Sequence, residues 1–311
     1  MKVRQRIFIE GLYESATLNV LGLSLLFLTP GLILSGLIEW GSNNSHQETA
    51  LFLSAGIALL AGLLLRALTS IADDAMDKPI AVFSVVSWTW VGCVLVGVLP
   101  YLFAGVFPWS QIDNALFETI SGFSTTGSTV LQDIEANGRG ILFWRQLTQW
   151  YGGMGIIVLA VTVLPSLGVG GLQLMTAESP GHKSDKLRSR SIDTAKSLWA
   201  VYFGVTILIS LLLWSTPNVN LYDAVAHGLS TAGTGGFSTY NSSIGSFDSY
   251  LVELIIILGM FTGAMNYTLQ YKFLKSKGNF RVFTRSSEWK LYVKITLLFI
   301  SVVFLLNWLV D

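Results

Sequence analysis

Residues 121–129, SGFSTTGST, are small or hydroxyl-bearing apart from one phenylalanine, and they lie between two long apolar stretches. A related segment, GLSTAGTGGFST, occupies residues 228–239. Because glycine reaches backbone conformations that other residues avoid, it lets successive carbonyl groups turn toward one axis. Carbonyl and hydroxyl oxygens placed in this way can replace the hydration shell of a cation. Neither segment contains an acidic residue, which favours a weakly hydrated monovalent cation held by carbonyl oxygens over a site built from carboxylates.

Each of these segments follows a short stretch of helical character, at residues 111–123 and 219–229. Helices of this length measure about 16–20 Å, which is too short to cross a bilayer. A short helix followed by a Gly-rich loop predicts a re-entrant hairpin, in which the partial negative charge of the helix C-terminus faces the loop. Ordinary external loops are the alternative interpretation, and the repetition of the same pattern argues against it.

The two segments form an internal repeat. GFSTTG at 122–127 aligns without gaps on GLSTAG at 228–233, an offset of 106 residues, and Glu118 aligns with Asp223 at an offset of 105. The predicted unit is therefore helix, half-helix, loop and helix, and it occurs twice.

The elements that hold these loops are predicted from composition. Of the 311 residues, 52% are hydrophobic and 12% are charged, about half the charged fraction of a typical soluble domain. Seven long apolar segments follow one another, more than a soluble core could bury, and most reach the ~20 residues that a spanning helix needs. They predict an all-α polytopic membrane protein with helices at about 16–38, 50–71, 79–103, 140–165, 196–215, 248–271 and 289–310.

The basic residues predict the orientation of these helices. If the N-terminus is cytoplasmic, only Arg139 and Arg145 of the nineteen Lys and Arg residues fall on the outer side. Because short loops rich in Lys and Arg stay in the cytoplasm, the sequence predicts a cytoplasmic N-terminus and outer positions for both repeated loops. The formal net charge of zero gives no indication of nucleic-acid binding.

Several longer segments resemble one family. LFETISGFSTTGSTVL (116–131), FWRQLTQWYGGMGIIVLAVTVLPSLGVGGLQL (143–174) and HGLSTAGTGGFSTYNSSIGSF (227–247) are similar to the Trk-type potassium uptake proteins, the membrane subunits of the Trk/Ktr/HKT superfamily. The resemblance extends from about residue 8 to the end. It implies a K⁺-channel-like pore of four helix–half-helix–loop–helix repeats around one axis, each supplying one strand of a potassium filter.

Matching the family motif to this chain gives the filter residues that the resemblance implies. The first strand would be Ser124, Thr125, Thr126, Gly127 and Ser128. The family pattern centres the second strand on TGGF, which is Thr234, Gly235, Gly236 and Phe237. The internal alignment instead places Gly233 opposite Gly127, so Gly233 also remains a candidate.

Three charged residues lie close to these segments. Arg145, near the outer end of a predicted span, either pairs with Glu118 or Asp113 of the facing half-helix or extends to the lipid headgroups. Glu118 and Asp223 are interpreted as anchors of their half-helices or as charges that concentrate cations at the pore mouth.

The resemblance also divides the chain. Residues 1–75 would form a leading two-helix hairpin, 76–190 the first pore repeat with its loop at 121–129, and 191–285 the second with its loop at 230–239. Residues 286–311 would be the first helix of a third repeat. Because two filter strands cannot enclose an ion, the sequence is expected to be an incomplete chain; the alternative is that two copies combine their halves.

The functional expectation is a potassium uptake subunit of the bacterial plasma (inner) membrane. The resemblance implies a homodimer and a cytosolic TrkA-type regulatory subunit that would carry any nucleotide, NAD or ATP, since this chain has no nucleotide-binding motif and needs no cofactor beyond the K⁺ it moves. A non-conducting membrane or assembly protein is the alternative. A membrane-embedded enzyme is disfavoured because the three histidines are scattered and no H-E-x-x-H motif is present.

Overall fold

The structure, a computed structural model, describes residues 2–41, 45–70, 79–166 and 183–310, and the side chains of 15–41, 45–70, 83–155 and 194–309. In these ranges every regular element is a helix, and the remaining residues form turns and irregular loops. The helices are α1 (Lys2–Glu39), α2 (Ser45–Leu68), α3 (Pro79–Gly97), α4 (Leu99–Phe103), α5 (Ile112–Phe123), α6 (Arg139–Ser166), α7 (Lys183–Trp214), α8 (Leu221–Ala232), α9 (Tyr250–Gly263), α10 (Tyr267–Lys275), α11 (Arg281–Thr284) and α12 (Ser287–Val310).

Five segments are long and apolar enough to cross a membrane: Ser15–Glu39, Ser45–Leu68, Phe83–Phe103, Thr194–Trp214 and Ser287–Leu309. The prediction of an all-α membrane protein with several spans is therefore confirmed. The predicted span at 140–165 corresponds to α6, whose side chains are described only as far as residue 155. The predicted boundary between residues 75 and 76 and the segment 167–182 lie outside the described residues.

The two predicted half-helices are present as α5 and α8, each of 12 residues. A helix of this length rises about 18 Å, well short of the ~30 Å hydrocarbon core. α5 lies between α4 and α6, and α8 lies between α7 and α9, so each short helix follows one helix and is separated from the next by a loop.

One predicted helix, at 248–271, is wrong as a continuous element. The chain forms α9 and α10, which meet at an angle of 96°. Asn266 explains the break, because its side chain accepts a hydrogen bond from the backbone N–H of Thr268 at 2.8 Å and so caps a new helix. Gln270 holds the bend by donating to the carbonyl of Thr262 at 2.9 Å. The N-cap at Asn266 thus divides the apolar segment 248–271 into two helices.

α6 is the helix around which several others pack. Its first half packs against α1, α5, α7 and α8, and it buries an unusual row of polar side chains: Arg145, Gln146, Thr148 and Gln149. Trp144 donates to the carbonyl of Gly97 at 3.1 Å, and Trp150 donates to the hydroxyl of Thr206 at 3.0 Å. These bonds fix α6 against the first helix of each repeat.

The leading hairpin caps the start of α6. Glu39, at the end of α1, accepts from the backbone N–H of Gly140 at 2.5 Å, and Gln47 of α2 accepts from that of Gly138 at 2.7 Å. Both donors lie in the first turn of α6 or just before it, where backbone N–H groups lack intrahelical partners. The hairpin therefore positions the helix that supports both loops.

Candidate ion-binding site

The first loop leaves α5 by a tight reversal of the backbone. The N–H of Thr125 bonds the carbonyl of Gly122 at 3.0 Å, and the N–H of Thr126 bonds that of Ser121 at 3.0 Å. Thr125 and Gly127 have φ values of 55° and 76°, in the left-handed region that non-glycine residues rarely occupy. The Ser121 hydroxyl then donates to the carbonyl of Ser128 at 2.6 Å, which ties the outgoing strand to the half-helix.

The second loop has the same backbone. The N–H of Thr234 bonds the carbonyl of Thr231 at 3.1 Å, and that of Gly235 bonds the carbonyl of Ser230 at 2.9 Å. Thr234 and Gly236 have φ values of 54° and 93°. The N–H of Gly236 also donates to the Ser230 hydroxyl at 3.1 Å, so a serine in the last turn holds each loop.

These conformations correspond at an offset of 109 residues, which pairs Gly127 with Gly236 and Thr125 with Thr234. The offset of 106 from the internal alignment is wrong for the backbone, because Gly233 is the residue that ends α8 and corresponds to Ser124. The segment GLSTAG (228–233) covers the end of α8 and its C-cap. The residues that correspond to 122–127 in conformation are 231–236, three positions further along the chain. In backbone conformation, residues 234–237 therefore correspond to residues 125–128.

The two loops lie side by side. A Cβ added to Gly127 would collide with the carbonyl oxygen of Gly235, so the backbones are in direct contact there. Along the first loop Ser124, Thr126 and Ser128 are exposed, and along the second Thr234 and Gly236 are exposed. Backbone and hydroxyl oxygens thus form a shared, accessible surface at the ends of two half-helices.

This surface is polar without formal charge. None of the residues in either loop is acidic, and the described part of the chain holds no group of three or more His, Cys, Asp or Glu residues placed to bind a metal ion. Oxygen ligands of this kind suit a cation that loses its water easily.

α6 passes directly behind both loops, and its small residues permit the approach. A Cβ on Gly152 would collide with the carbonyl of Phe123, and one on Gly153 would lie 2.9 Å from the Cα of Gly233. Gln149, one turn earlier, accepts from the Ser230 hydroxyl at 2.6 Å and from the N–H of Phe237 at 3.1 Å. The second loop is therefore held by a side chain from the first repeat.

Arg145 joins the two repeats. Its Nε donates to Glu118 at 2.5 Å, and the two side chains are 1% and 0% exposed. Its Nη1 donates to the carbonyl of Ser238 at 2.9 Å, and its guanidinium lies 3.6 Å from the centre of the Phe237 ring. Of the predicted alternatives for Arg145, the structure has the pairing with Glu118.

Glu118 also anchors its own loop. It accepts from the hydroxyl of Thr129 and from the N–H of Val130, both at 3.0 Å. At the offset of 109, the counterpart of Glu118 is His227 and that of Thr129 is Ser238, and these are bonded at 3.0 Å. The predicted equivalence of Glu118 with Asp223 is therefore wrong.

Asp223 anchors the second loop from the first turn of α8. It accepts from the hydroxyls of Thr239 at 2.7 Å and Tyr240 at 2.8 Å, and from the Asn220 amide at 2.7 Å. Partial burial and then this bond to Asp223 raise the pKa of Tyr240, which lies outside the spanning segments, to about 12. The phenol therefore remains a hydrogen-bond donor at any physiological pH.

Sequence reasoning missed Gln149, whereas His227 is the buried, hydrogen-bonded packing residue that its place beside the second loop predicts. The signal for Gln149 was present, because Arg145 and Gln149 are four residues apart in a predicted span and so share one face. A polar pair on one face of a membrane helix indicates contact with something polar, here the second loop.

Comparisons with known proteins identify the family to which the chain is similar. A family profile described as TrkH, cation transport protein, matches residues 52–309. The Trk system potassium uptake protein TrkH of Salmonella typhimurium is 41% identical over 225 residues, which cover 72% of this chain and 46% of that protein. The Trk system potassium uptake protein TrkG of Escherichia coli is 38% identical over 218 residues, covering 69% and 44%.

A solved structure has the same fold. The crystal structure of the potassium transporter TrkH from Vibrio parahaemolyticus superposes with a TM-score of 0.80 at 29% identity, covering 94% of this chain and 58% of that one. The chain thus spans about half the length of the curated relatives it matches.

Proposed function

The chain belongs to the TrkH family of cation transport proteins, and we propose that it conducts potassium ions across the membrane. The loops at 121–129 and 230–239 would each supply one strand of the filter, with ligands from residues 124–128 and 234–237 and from the C-terminal end at Gly233. The observation that carries the proposal is the pair of adjoining loops with matching left-handed residues, Thr125 and Gly127 beside Thr234 and Gly236.

The electrostatics of the surrounding helices favour a cation. Two half-helices end at the loops, and each helix C-terminus carries a partial negative charge. Arg145 alone would oppose a cation nearby, but Glu118 neutralises it at 2.5 Å. The pair therefore holds the loops in place and adds no net charge to the site.

The wider assembly is part of the same proposal. Residues 1–75 would be the leading hairpin, 76–190 and 191–285 two pore repeats, and 286–311 the first helix of a third, in a bacterial inner membrane with the N-terminus in the cytoplasm. The relatives' name supports uptake of potassium by a Trk system.

A homodimer and a cytosolic nucleotide-binding subunit of the TrkA type are proposed as partners. A cleft of about 520 Å³, whose lining includes Lys272, Arg281, Arg285 and Glu288, is a candidate contact for the cytosolic subunit. Co-purification of that subunit with the native protein, lost on substitution of these basic residues by alanine, tests the contact.

Rubidium uptake into proteoliposomes containing the native protein, as the cell makes it, tests conduction. Gly236→Ala is the discriminating variant, because φ of 93° strains any L side chain although the Cβ itself meets no neighbour within 4 Å. We expect reduced uptake and a weaker preference for rubidium over sodium. Gly245→Ala is the matched control, since its Cβ also meets nothing within 4 Å and its φ lies outside the left-handed region. Equal uptake and equal ion preference in both variants would remove the second loop from the pathway.

A further inference from the structure

A deep apolar cleft opens on the membrane-facing side of the protein, away from the surface that the two loops share. It has a volume of about 470 Å³ and lies between α1, α6, α7 and α8. Its walls are almost wholly apolar and rich in aromatic rings, including those of Phe143, Trp150, Phe203 and Trp214.

Few polar groups line the cleft, and its hydroxyls are hydrogen-bonded within the protein. Of its three wall hydroxyls, those of Thr206 and Ser210 donate to the carbonyls of Tyr202 and Thr206, each at 2.9 Å, and that of Tyr151 donates to the carbonyl of Phe27 at 3.5 Å. Because water enters a cavity only where it finds several polar partners, an aqueous filling is disfavoured. The occupant must itself be apolar.

The length of the cleft matches one leaflet. On α7 it extends from Phe203 to Trp214, eleven residues or about 16 Å along the helix. Half of the hydrocarbon core is about 15 Å thick. Because Thr194–Trp214 is a candidate membrane span, the cleft covers the half of that span that ends at Trp214, about the depth of one leaflet.

The interfacial end carries the residues that a lipid headgroup would meet. Trp214 is exposed at the end of α7, and the exposed Arg139 lies one turn outward of Phe143 on α6. The guanidinium of Arg139 lies 5.4 Å from the centre of the Tyr222 ring, and the Tyr222 hydroxyl donates to the Arg139 carbonyl at 2.8 Å. Aromatic rings together with a fixed cation are typical of the membrane interface.

We propose that this cleft binds one acyl chain of a phospholipid from the loop-side leaflet, with the lipid phosphate on Arg139. The match of cleft length to leaflet thickness and the position of Arg139, beside Tyr222 and one turn from the cleft residue Phe143, support this occupant over a protein segment. Val225 and Leu229 of α8 form part of the wall, so the bound chain packs against the half-helix of the second repeat. An effect of the lipid on conduction would rest on the proposed function, whereas its binding does not.

Native mass spectrometry of the delipidated native protein, titrated with phosphatidylglycerol, tests the site. We expect one tightly retained lipid in the wild type and in Ile207→Ala, which enlarges the cleft, and none in Ile207→Trp, which fills it. Leu208→Trp is the matched control, because Leu208 is 56% exposed against 54% for Ile207 but lies outside the cleft. It should retain the lipid. Arg139→Gln should weaken binding by up to about fivefold, the effect of one exposed ion pair.

Retention of the lipid by Ile207→Trp would overturn the proposal, and so would equal loss in both tryptophan variants. A wild-type protein that binds no lipid, or whose cleft is filled by a co-purifying polypeptide, would overturn it as well. Because the readout is lipid mass, it is independent of rubidium uptake, and the two proposals can fail separately.

Discussion

Replacing Arg145 with methionine is expected to destabilise the protein by about 3–5 kcal/mol, the usual cost of leaving one partner of a buried ion pair alone. Glu118 is 0% exposed and would keep only Thr129 and Val130 as donors. The carbonyl of Ser238 would lose its donor as well. The double variant Glu118→Gln with Arg145→Met leaves no buried ion, because both charged side chains are replaced by neutral ones. The glutamine oxygen can still accept a hydrogen bond from the first loop. That double variant is expected to lose only about 1–3 kcal/mol, the cost of the remaining unpaired polar groups.

Unfolding of the purified native protein in mixed micelles, with increasing fractions of SDS, measures these differences. Glu118→Gln alone supplies the second single variant for the comparison. Arg139→Met is the control, since Arg139 is exposed and its contact with the Tyr222 ring is worth about 1 kcal/mol at most. The reasoning fails if the double variant is as unstable as the sum of the two single variants. It also fails if Arg145→Met is no more destabilising than Arg139→Met.

Three further outcomes are expected. Gly127→Ala should abolish rubidium uptake in proteoliposomes, because the new Cβ meets the Gly235 carbonyl and the left-handed backbone adds about 1–2 kcal/mol of strain; normal uptake would contradict the contact between the loops. Gln149→Leu should cost about 1–3 kcal/mol in the same micelle assay, because it leaves a buried hydroxyl and N–H of the second loop unpaired; an unchanged stability would show that the bonds are not formed. The stability contributed by Tyr240 should be fully present below its ordinary pKa near 10 and should fall as pH rises toward the raised value of about 12. Tyr240→Phe should remove that part of the alkaline loss, and an identical pH profile would refute it.

The half-helices could be predicted closely because their signals are local. The predicted end at residue 123 coincides with the end of α5, and the predicted start at 219 lies two residues before α8. Both depend on an apolar face of limited length followed by glycine and hydroxyl residues. The register of the second loop was harder, because GLSTAG carries the stronger similarity but belongs to the helix.

The remaining features depend on contacts between distant parts of the chain. The pairing of Arg145 with Glu118 was a named possibility, since both lie near the first loop in sequence. Its bond to Ser238 joins residues 93 positions apart, and no spacing rule predicts it. The bend after Gly263 was missed because the apolar run continues past it and masks the Asn266 cap.

The guanidinium of Arg145 has a consequence for how the two loops move. It is bonded at once to the half-helix of the first repeat and to the strand that follows the second loop. A shift of one loop relative to the other would separate the buried guanidinium from the Glu118 carboxylate or from the Ser238 carbonyl, and an unpaired charge or carbonyl in the protein interior is costly. The Arg145 side chain therefore couples the positions of the two loops.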